Sequence, residues 1–225
     1  VCSSDLYCAI CGMENPDCLY DSNGDHYENE EGIIAYRNVN GEIYYLITNW
    51  KQLNHMRRHM DKNYELYPCS YDADTNTYTY LGAGSSLVIP ETDDDGAPVV
   101  WEPVGYCADA LTSTHTSDCR HFSGVFNGGG HTIEGLNVSL SDEQIKSAAE
   151  GLTGGLFGYV HGATITNLTI SGASVTAKNY AGTLAAVLEN TRVDGVYIED
   201  ARVALDRWKA GTSGAAGLLA GASIG

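Results

Sequence analysis

Positive charge is scarce in this chain: 12 Lys and Arg stand against 29 Asp and Glu, a formal net charge of −17 with a pI near 4.5. Phosphate recognition needs a basic face, so this balance argues against nucleic-acid binding, and no nucleic-acid partner is expected. Acidity of this kind serves solubility more often than a specific partner. No apolar run approaches the ~20 residues a membrane span requires, so the chain is not expected to span one. Phenylalanine is rare, 3 residues against 15 Tyr and 26 Gly, a balance that suits strands and turns with amphipathic surfaces. At 225 residues the chain is long enough for a sizeable core. Neither an initiator Met nor a signal sequence precedes Val1, and Gly225 falls inside a repeat, so a mature or excised piece of something longer is expected.

Several chemistries fail here on a missing residue. His55-Met56-Arg57-Arg58-His59 puts two histidines four apart on one helical face. A zinc peptidase needs Glu directly after the first His as general base, and Met56 stands there. A surface pair of histidines is the expected reading. Asp21-Ser22-Asn23-Gly24-Asp25 alternates oxygens as a calcium loop does, but an EF-hand needs Gly sixth and Glu twelfth, where His26 and Gly32 stand. No cofactor is expected, and calcium at Asp21, Asn23 and Asp25 is the possibility these oxygens leave open. Asp72-x-Asp74-x-Asn76 fails in the same way and reads as a hairpin turn. Asp93-Asp94-Asp95-Gly96 reads as a solvated loop.

The cysteines ask for disulfides or a metal. Cys8-Ala9-Ile10-Cys11 has the spacing of a zinc knuckle, yet no second pair of matching spacing follows. Disulfides are the expected state of Cys2, Cys8, Cys11 and Cys18 in a secreted chain, with zinc the alternative. A bond between Cys107 and Cys119 would close an inserted loop and contribute about 3 kcal/mol. His115, Cys119 and His121 could instead bind a soft metal. With 7 cysteines, one is left over.

What the chain has in abundance is repetition. Gly124-Val125-Phe126 with Gly130-His131-Thr132-Ile133 is followed by Gly154-Gly155-Leu156-Phe157-Gly158 with Ala163-Thr164-Ile165-Thr166-Asn167-Leu168-Thr169-Ile170. Ala181-Gly182-Thr183-Leu184-Ala185 with Val193, Val196 and Ile198 makes a third copy, and Ala216-Gly217-Leu218-Leu219-Ala220-Gly221 opens a fourth. Three apolar slots recur: Ile133, Leu136, Val138; then Ile165, Leu168, Ile170; then Val193, Val196, Ile198. They lie 32 and 28 residues apart (165 − 133 and 193 − 165), a period that marks stacked repeats. The segments are short, β-branched and bounded by Gly or Asn, so the unit is made of strands. No copy can bury its apolar face alone, but stacked copies can. The expected fold is all-β, a β-helix or solenoid with an N-terminal capping helix and a small Cys-rich N-terminal segment.

These residues resemble the GLUG repeat of large secreted bacterial adhesin-like proteins and of accessory regions of bacterial immunoglobulin A peptidases. The likeness rests on Gly155-Leu156-Phe157-Gly158, on Ile165-x-Asn167-Leu168-x-Ile170, and on Phe122-x-Gly124-x-Phe126-Asn127-Gly128-x-Gly130-His131-Thr132-Ile133. Trp101-Glu102-Pro103-Val104-Gly105 is similar to the Trp-x-Pro-Ile-Gly that leads into such repeats, and residues 48–63 resemble the helical opening of such domains. The resemblance covers roughly residues 46–225. It implies an extracellular or cell-surface setting and assigns no activity, since the shared residues are structural.

The chain divides into 1–45, a Cys-rich segment with a hairpin; 46–121, a cap and first turn with a Cys-bracketed insertion; and 122–225, the repeats. Asn40-Gly41 is the hairpin signal, with Ile33, Ile34, Tyr36, Ile43, Tyr45 and Ile47 as its apolar partners. Thr48 or Asn49 caps a helix burying Trp50, Leu53, Met56 and Met60, with Lys51, Arg57, Arg58 and Lys62 outward. Residues 64–67 and 87–89 read as strands. Residues 142–150 and 200–214 depart from the repeat, and insertions of this kind often carry binding. Trp208, Arg202 and Arg207 are therefore the candidate ligand contacts. The expected function is a noncatalytic adhesin or structural surface module with a protein or glycan ligand, whose open ends could also self-associate. A carbohydrate-active β-helix enzyme is the alternative, needing clustered acids that Glu134, Asp194 and Glu199 do not obviously form. An accessory domain of a secreted peptidase would differ from the adhesin only in what is attached to it.

Overall fold

The computed structural model describes residues 28–29, 32–33, 36–72, 77–93, 95–106, 119–139, 153–206 and 214–225. Among the described residues the fold is all-β apart from one short helix. Strands β1 (Glu28–Asn29) and β2 (Gly32–Ile33) pair antiparallel. A hairpin of β3 (Tyr36–Val39) and β4 (Glu42–Ile47) follows. Asn40 and Gly41 both take positive φ (56° and 92°), and this left-handed pair gives a two-residue turn the twist of its strands. Tyr45 and Ile47 are buried, but Ile43, expected beside them, is exposed.

Helix α1 (Trp50–His55) runs into a 3-10 turn over Met56–Arg58. Asn49 caps it, its side chain accepting from the Gln52 N–H at 2.9 Å, while Gln52 Oε1 accepts from the Thr48 N–H at 2.7 Å. That reciprocal arrangement satisfies two backbone donors and explains why Gln52 is buried. Leu53 and Met56 enter the main core, and Trp50 and Met60 pack against it. The chain then returns as β5 (Asn63–Leu66), parallel to β4, so α1 is the crossover that a parallel pair requires. Strands β6 (Cys69–Asp72) and β7 (Thr77–Tyr80) form a second hairpin, and β8 (Ser86–Val88) follows.

Among the described residues, twelve strands make up the repeats. The first copy holds β9 (Val125–Glu134), β10 (Asn137–Ser139), β11 (Thr153–Gly154) and β12 (Phe157–His161). The second holds β13 (Thr164–Ser171), β14 (Ser174–Ala177), β15 (Tyr180–Gly182) and β16 (Ala185–Glu189). The third holds β17 (Arg192–Glu199), β18 (Arg202–Leu205), β19 (Ala215–Gly217) and β20 (Ala220–Ile224). Pairing runs between copies: β9-β13-β17, β10-β14-β18, β11-β15-β19 and β12-β16-β20, every pair parallel. Each copy thus visits four columns in one order. The first column is prolonged by β5, β4 and β3, with β8 also beside β9.

Between the second and third copies the expected slots pair: Ile165 with Val193, Leu168 with Val196, Ile170 with Ile198. The first copy is set differently. Phe126 faces Ile165, His131 faces Leu168 and Ile133 faces Ile170, so the offset is 37 to 39 residues (170 − 133 and 165 − 126) rather than 32. Between the pairs Asn127–Thr166 and His131–Leu168, β9 spends two more residues than β13, a bulge filled by Gly128-Gly129-Gly130. Val138 belongs to the second column instead, where it pairs with Val175, and Leu136 lies just before that column, its carbonyl accepting from the Ser174 N–H at 2.8 Å. His131 is buried because both ring nitrogens are engaged: Tyr80 Oη lies 3.1 Å from Nε2, and the Ser85 carbonyl oxygen 3.2 Å from Nδ1.

Two corners of each copy need a left-handed residue, and they stack: Gly135, Gly172 and Asp200 at one, Gly162, Asn190 and Gly225 at the other. A third corner needs space instead. A Cβ on Gly155 would lie 2.5 Å from Gly182 O, and one on Gly182 would lie 2.3 Å from Ala185 O. The two demands separate by substitution. Gly155→Ala is expected to cost about 1–3 kcal/mol by overpacking against backbone that cannot yield. Gly172→Asn meets open space and a conformation Asn tolerates, and is expected to stay within about 0.5 kcal/mol. Urea unfolding of both variants measures this, and equal losses would refute the steric account.

Candidate functional site

The segment that enters the repeats also builds a cavity. Trp101, Pro103, Val104 and Gly105 are buried; the Trp101 indole N–H donates to Leu156 O at 3.1 Å and its backbone N–H to Asn137 O at 2.7 Å. Gly105 sits at φ +77°, where a Cβ would lie 2.8 Å from the carbonyl oxygens of both Arg120 and Tyr159. That approach lets Tyr106 and Arg120 exchange both backbone hydrogen bonds, at 2.7 and 2.9 Å, which fixes the two residues side by side.

From the opposite side the 3-10 turn supplies Arg57. Its guanidinium donates to the Glu102 carboxylate, to the Glu102 carbonyl and to Asn54 Oδ1, and lies over the Trp101 ring at 5.6 Å. A planar fork with an aromatic floor suits Arg, and Lys would not reproduce it. Arg57 is therefore turned inward, contrary to the outward face expected of it, because a carboxylate 45 residues later draws it in. Arg57, Met60, Glu102, Pro103, Gly105, Tyr106 and Arg120 line a cavity of about 370 Å³. Glu102 neutralises Arg57, whereas Arg120 is exposed and makes no ion pair among the described residues.

Near Gly105 a second, smaller buried cluster, Tyr159, Tyr180, Ala186 and Val187, packs on β12, β15 and β16. Tyr159 Oη donates to Glu189 at 2.5 Å, and burial first, then that bond and the Glu189 charge, raise the phenol's pKa. His121 meets Tyr159 edge-on at 5.8 Å and His161 at 5.2 Å, and half-buried Cys119 packs against the Tyr159 cluster. Among the described residues no group of three His, Cys, Asp or Glu is placed to hold a metal ion, and no helix is long and apolar enough to cross a membrane.

The sequence candidates scatter. Arg202 is exposed at the start of β18, opposite Ser174; Arg207 and Trp208 lie outside the described residues. So do Asp21, Asn23, Asp25, Cys2, Cys8, Cys11, Cys18, Cys107 and His115. Cys69 is a half-buried thiol whose Sγ lies 3.3 Å from Tyr67 O. Asp93 spends its carboxylate on the backbone N–H groups of Asp95 and Ala97, as a loop-closing residue does. Glu134 accepts from Ser86 Oγ, and Asp194 pairs with Arg192 at 3.1 Å. Glu134, Ser171 and Glu199 stand in one line across three strands, a juxtaposition that residue spacing did not reveal. The cavity residues were missed because they come from separated segments, and only the Trp-x-Pro-x-Gly run pointed toward them.

His55 is half-buried, not the surface residue expected, and its ring lies 5.6 Å from that of His59. Burial, then the charges of Arg58 and His59, lower its pKa to about 4. A histidine with a lowered folded pKa contributes stability that is complete above the ordinary 6.5 and is lost as pH falls toward 4, because the unfolded chain takes up the proton first. The stability difference between the native chain and His55→Gln should accordingly drift with pH between 4 and 6.5 and be constant above. Urea unfolding across that range checks it; a pH-independent difference would refute it.

Comparison with known protein families, curated proteins and solved structures finds no match to this chain.

Proposed function

We propose that this chain is a noncatalytic β-helical module of an extracellular or cell-surface protein, of the adhesin or structural kind to which the GLUG-like residues point, and that it holds protein or glycan material of a host or a neighbouring cell. The observation that carries the β-helical reading is the recurrence of four parallel strand columns in one order through three copies. Stacking of this kind buries what a single copy cannot, and it displays loops along one side. In this reading α1 covers the first turn, and Arg202 of β18 and Arg207 and Trp208 of the departure from the repeat that follows it are ligand contacts in addition to the cavity. Self-association through the open ends of the stack belongs to the same reading.

Binding fits the cavity better than catalysis does. Arginine stays protonated and cannot transfer a proton, and Glu102, the carboxylate there, is tied to Arg57. One observation favours the alternative of a carbohydrate-active enzyme. Glu134 and Glu199 stand two strand spacings apart, ~9.6 Å, beside the upper end of the separation used by inverting glycosidases.

An array of host-matrix proteins and glycans, run together with a polysaccharide-degradation assay on the same protein, tests the reading. Saturable binding without product is the expected result. Oligosaccharide release that disappears in Glu134→Gln would replace it with the enzyme.

A further inference from the structure

We infer that the cavity between the 3-10 turn and the Trp101–Tyr106 segment receives an anionic sugar residue, with Arg120 as the group that reads its charge. This rests on the binding-module reading above and names the ligand class of the site. Three features of the cavity converge on that class. Its volume, about 370 Å³, lies in the lower part of the range of small-molecule sites and suits a sugar of one or two rings. Its lining carries an aromatic and two apolar side chains, Tyr106, Met60 and Pro103, against which the C–H face of a pyranose can lie.

The polar groups then select the substituents. Arg120 is an exposed guanidinium without an ion-pair partner among the described residues, a fork suited to a carboxylate or sulfate. Glu102 is an acceptor that sugar hydroxyls can reach, since its side chain is 42% exposed even while it pairs with Arg57. Arg57 is held by Asn54, Glu102 and Trp101, so the second cation is oriented before any ligand arrives. A ligand with both hydroxyl donors and an acid group satisfies this set; a neutral sugar leaves Arg120 unused.

Net charge narrows the class further. A chain at −17 repels polyanions at long range, so an attraction confined to one cavity favours a single acidic residue at a glycan end over a densely charged polymer. The bonds that hold Gly105, Tyr106 and Arg120 together would keep the receiving geometry fixed in the free protein.

Titration calorimetry on the full chain tests this with four probes: a galacturonate trisaccharide, its methyl ester, a 6-sulfated galactose trisaccharide, and a short peptide with a free C-terminal carboxylate. The free acid or the sulfate is expected to bind on the order of ten-fold tighter than the ester, as a charge-assisted hydrogen bond implies. The ratio of acid to sulfate identifies the acidic group. Arg120→Gln, a surface change, should abolish that preference without altering thermal unfolding, and Arg120→Lys should restore part of it. Equal binding of acid and ester, a preference that survives Arg120→Gln, or binding of the peptide alone would overturn the inference. Saturable glycan binding indifferent to Arg120 would overturn it while leaving the module reading intact. Polysaccharide cleavage would sink the module reading and leave the Arg120 preference separately measurable.

Discussion

Backbone meets backbone at the corner after β11, β15 and β19, and that contact governs the repeats. Gly155 and Gly182 each lie where an added Cβ would strike a carbonyl oxygen within 2.5 Å, and Gly217 would strike Ala220 O at 2.3 Å. With glycine there, Leu156 N–H reaches Thr183 O at 3.0 Å and Thr183 N–H reaches Leu218 O at 3.0 Å. The hydrogen bonds that link one copy to the next therefore continue through the corner. Everything inward of the corner benefits: Leu156 and Leu184 are fully buried beside Phe157 and Ala185. A side chain at Gly155 would meet Gly182 and one at Gly182 would meet Ala220, each in the next copy, so either would push two copies apart and disturb the register of the slots they stack.

The same logic of stacked position explains why Asn and Asp appear where Gly would be expected. Asn190 and Asp200 adopt positive φ in line with glycines of the other copies, and Asn167 does so in line with Gly195. A short polar side chain tolerates that conformation at small cost. At Asn167 it does more, since the side chain donates to Asn127 Oδ1 at 3.3 Å, and Asn127 Oδ1 also accepts from the Gly129 N–H at 3.1 Å. The bulge of β9 is thus tied to the bend of β13 by an amide, and a local irregularity in one copy is matched to a milder one in the next.

How much of this was legible in the sequence depends on how far apart the partners are. Slots in the second and third copies, 28 residues apart, were readable because one spacing serves all three: Ile165 and Val193, Leu168 and Val196, Ile170 and Ile198. The first copy departs from that spacing because Gly128-Gly129-Gly130 lengthens β9, and a run of glycines carries no periodic signal to mark the shift. Helix α1 was readable from Leu53 and Met56, yet Arg57 was placed outward, since nothing within one helical turn reveals a carboxylate at Glu102. The cavity was not legible at all. Its lining comes from the turn after α1, from residues 102–106 and from Arg120, and only the fold brings them together.

The cavity also shows why a strongly acidic protein is not a uniformly anionic surface. Of only 12 basic residues, Arg57 and Arg120 line one concavity, the first countered by Glu102 and the second open. Long-range repulsion from the remaining charge decays over about 8 Å at physiological salt, while a guanidinium in a cleft acts at contact, where screening is weakest. The two scales oppose each other, and their opposition is selective. A ligand with many charges is repelled along its length, and one with a single charge at its tip is repelled least and gains the whole local contact. The first copy also supports the cavity's edge: Gly158 of β12 lies against Gly105, where an added Cβ would lie 2.0 Å from Gly105 O, and its N–H donates to Val104 O at 2.8 Å. Gly105, which lines the cavity, is thus held against the first copy by backbone contact.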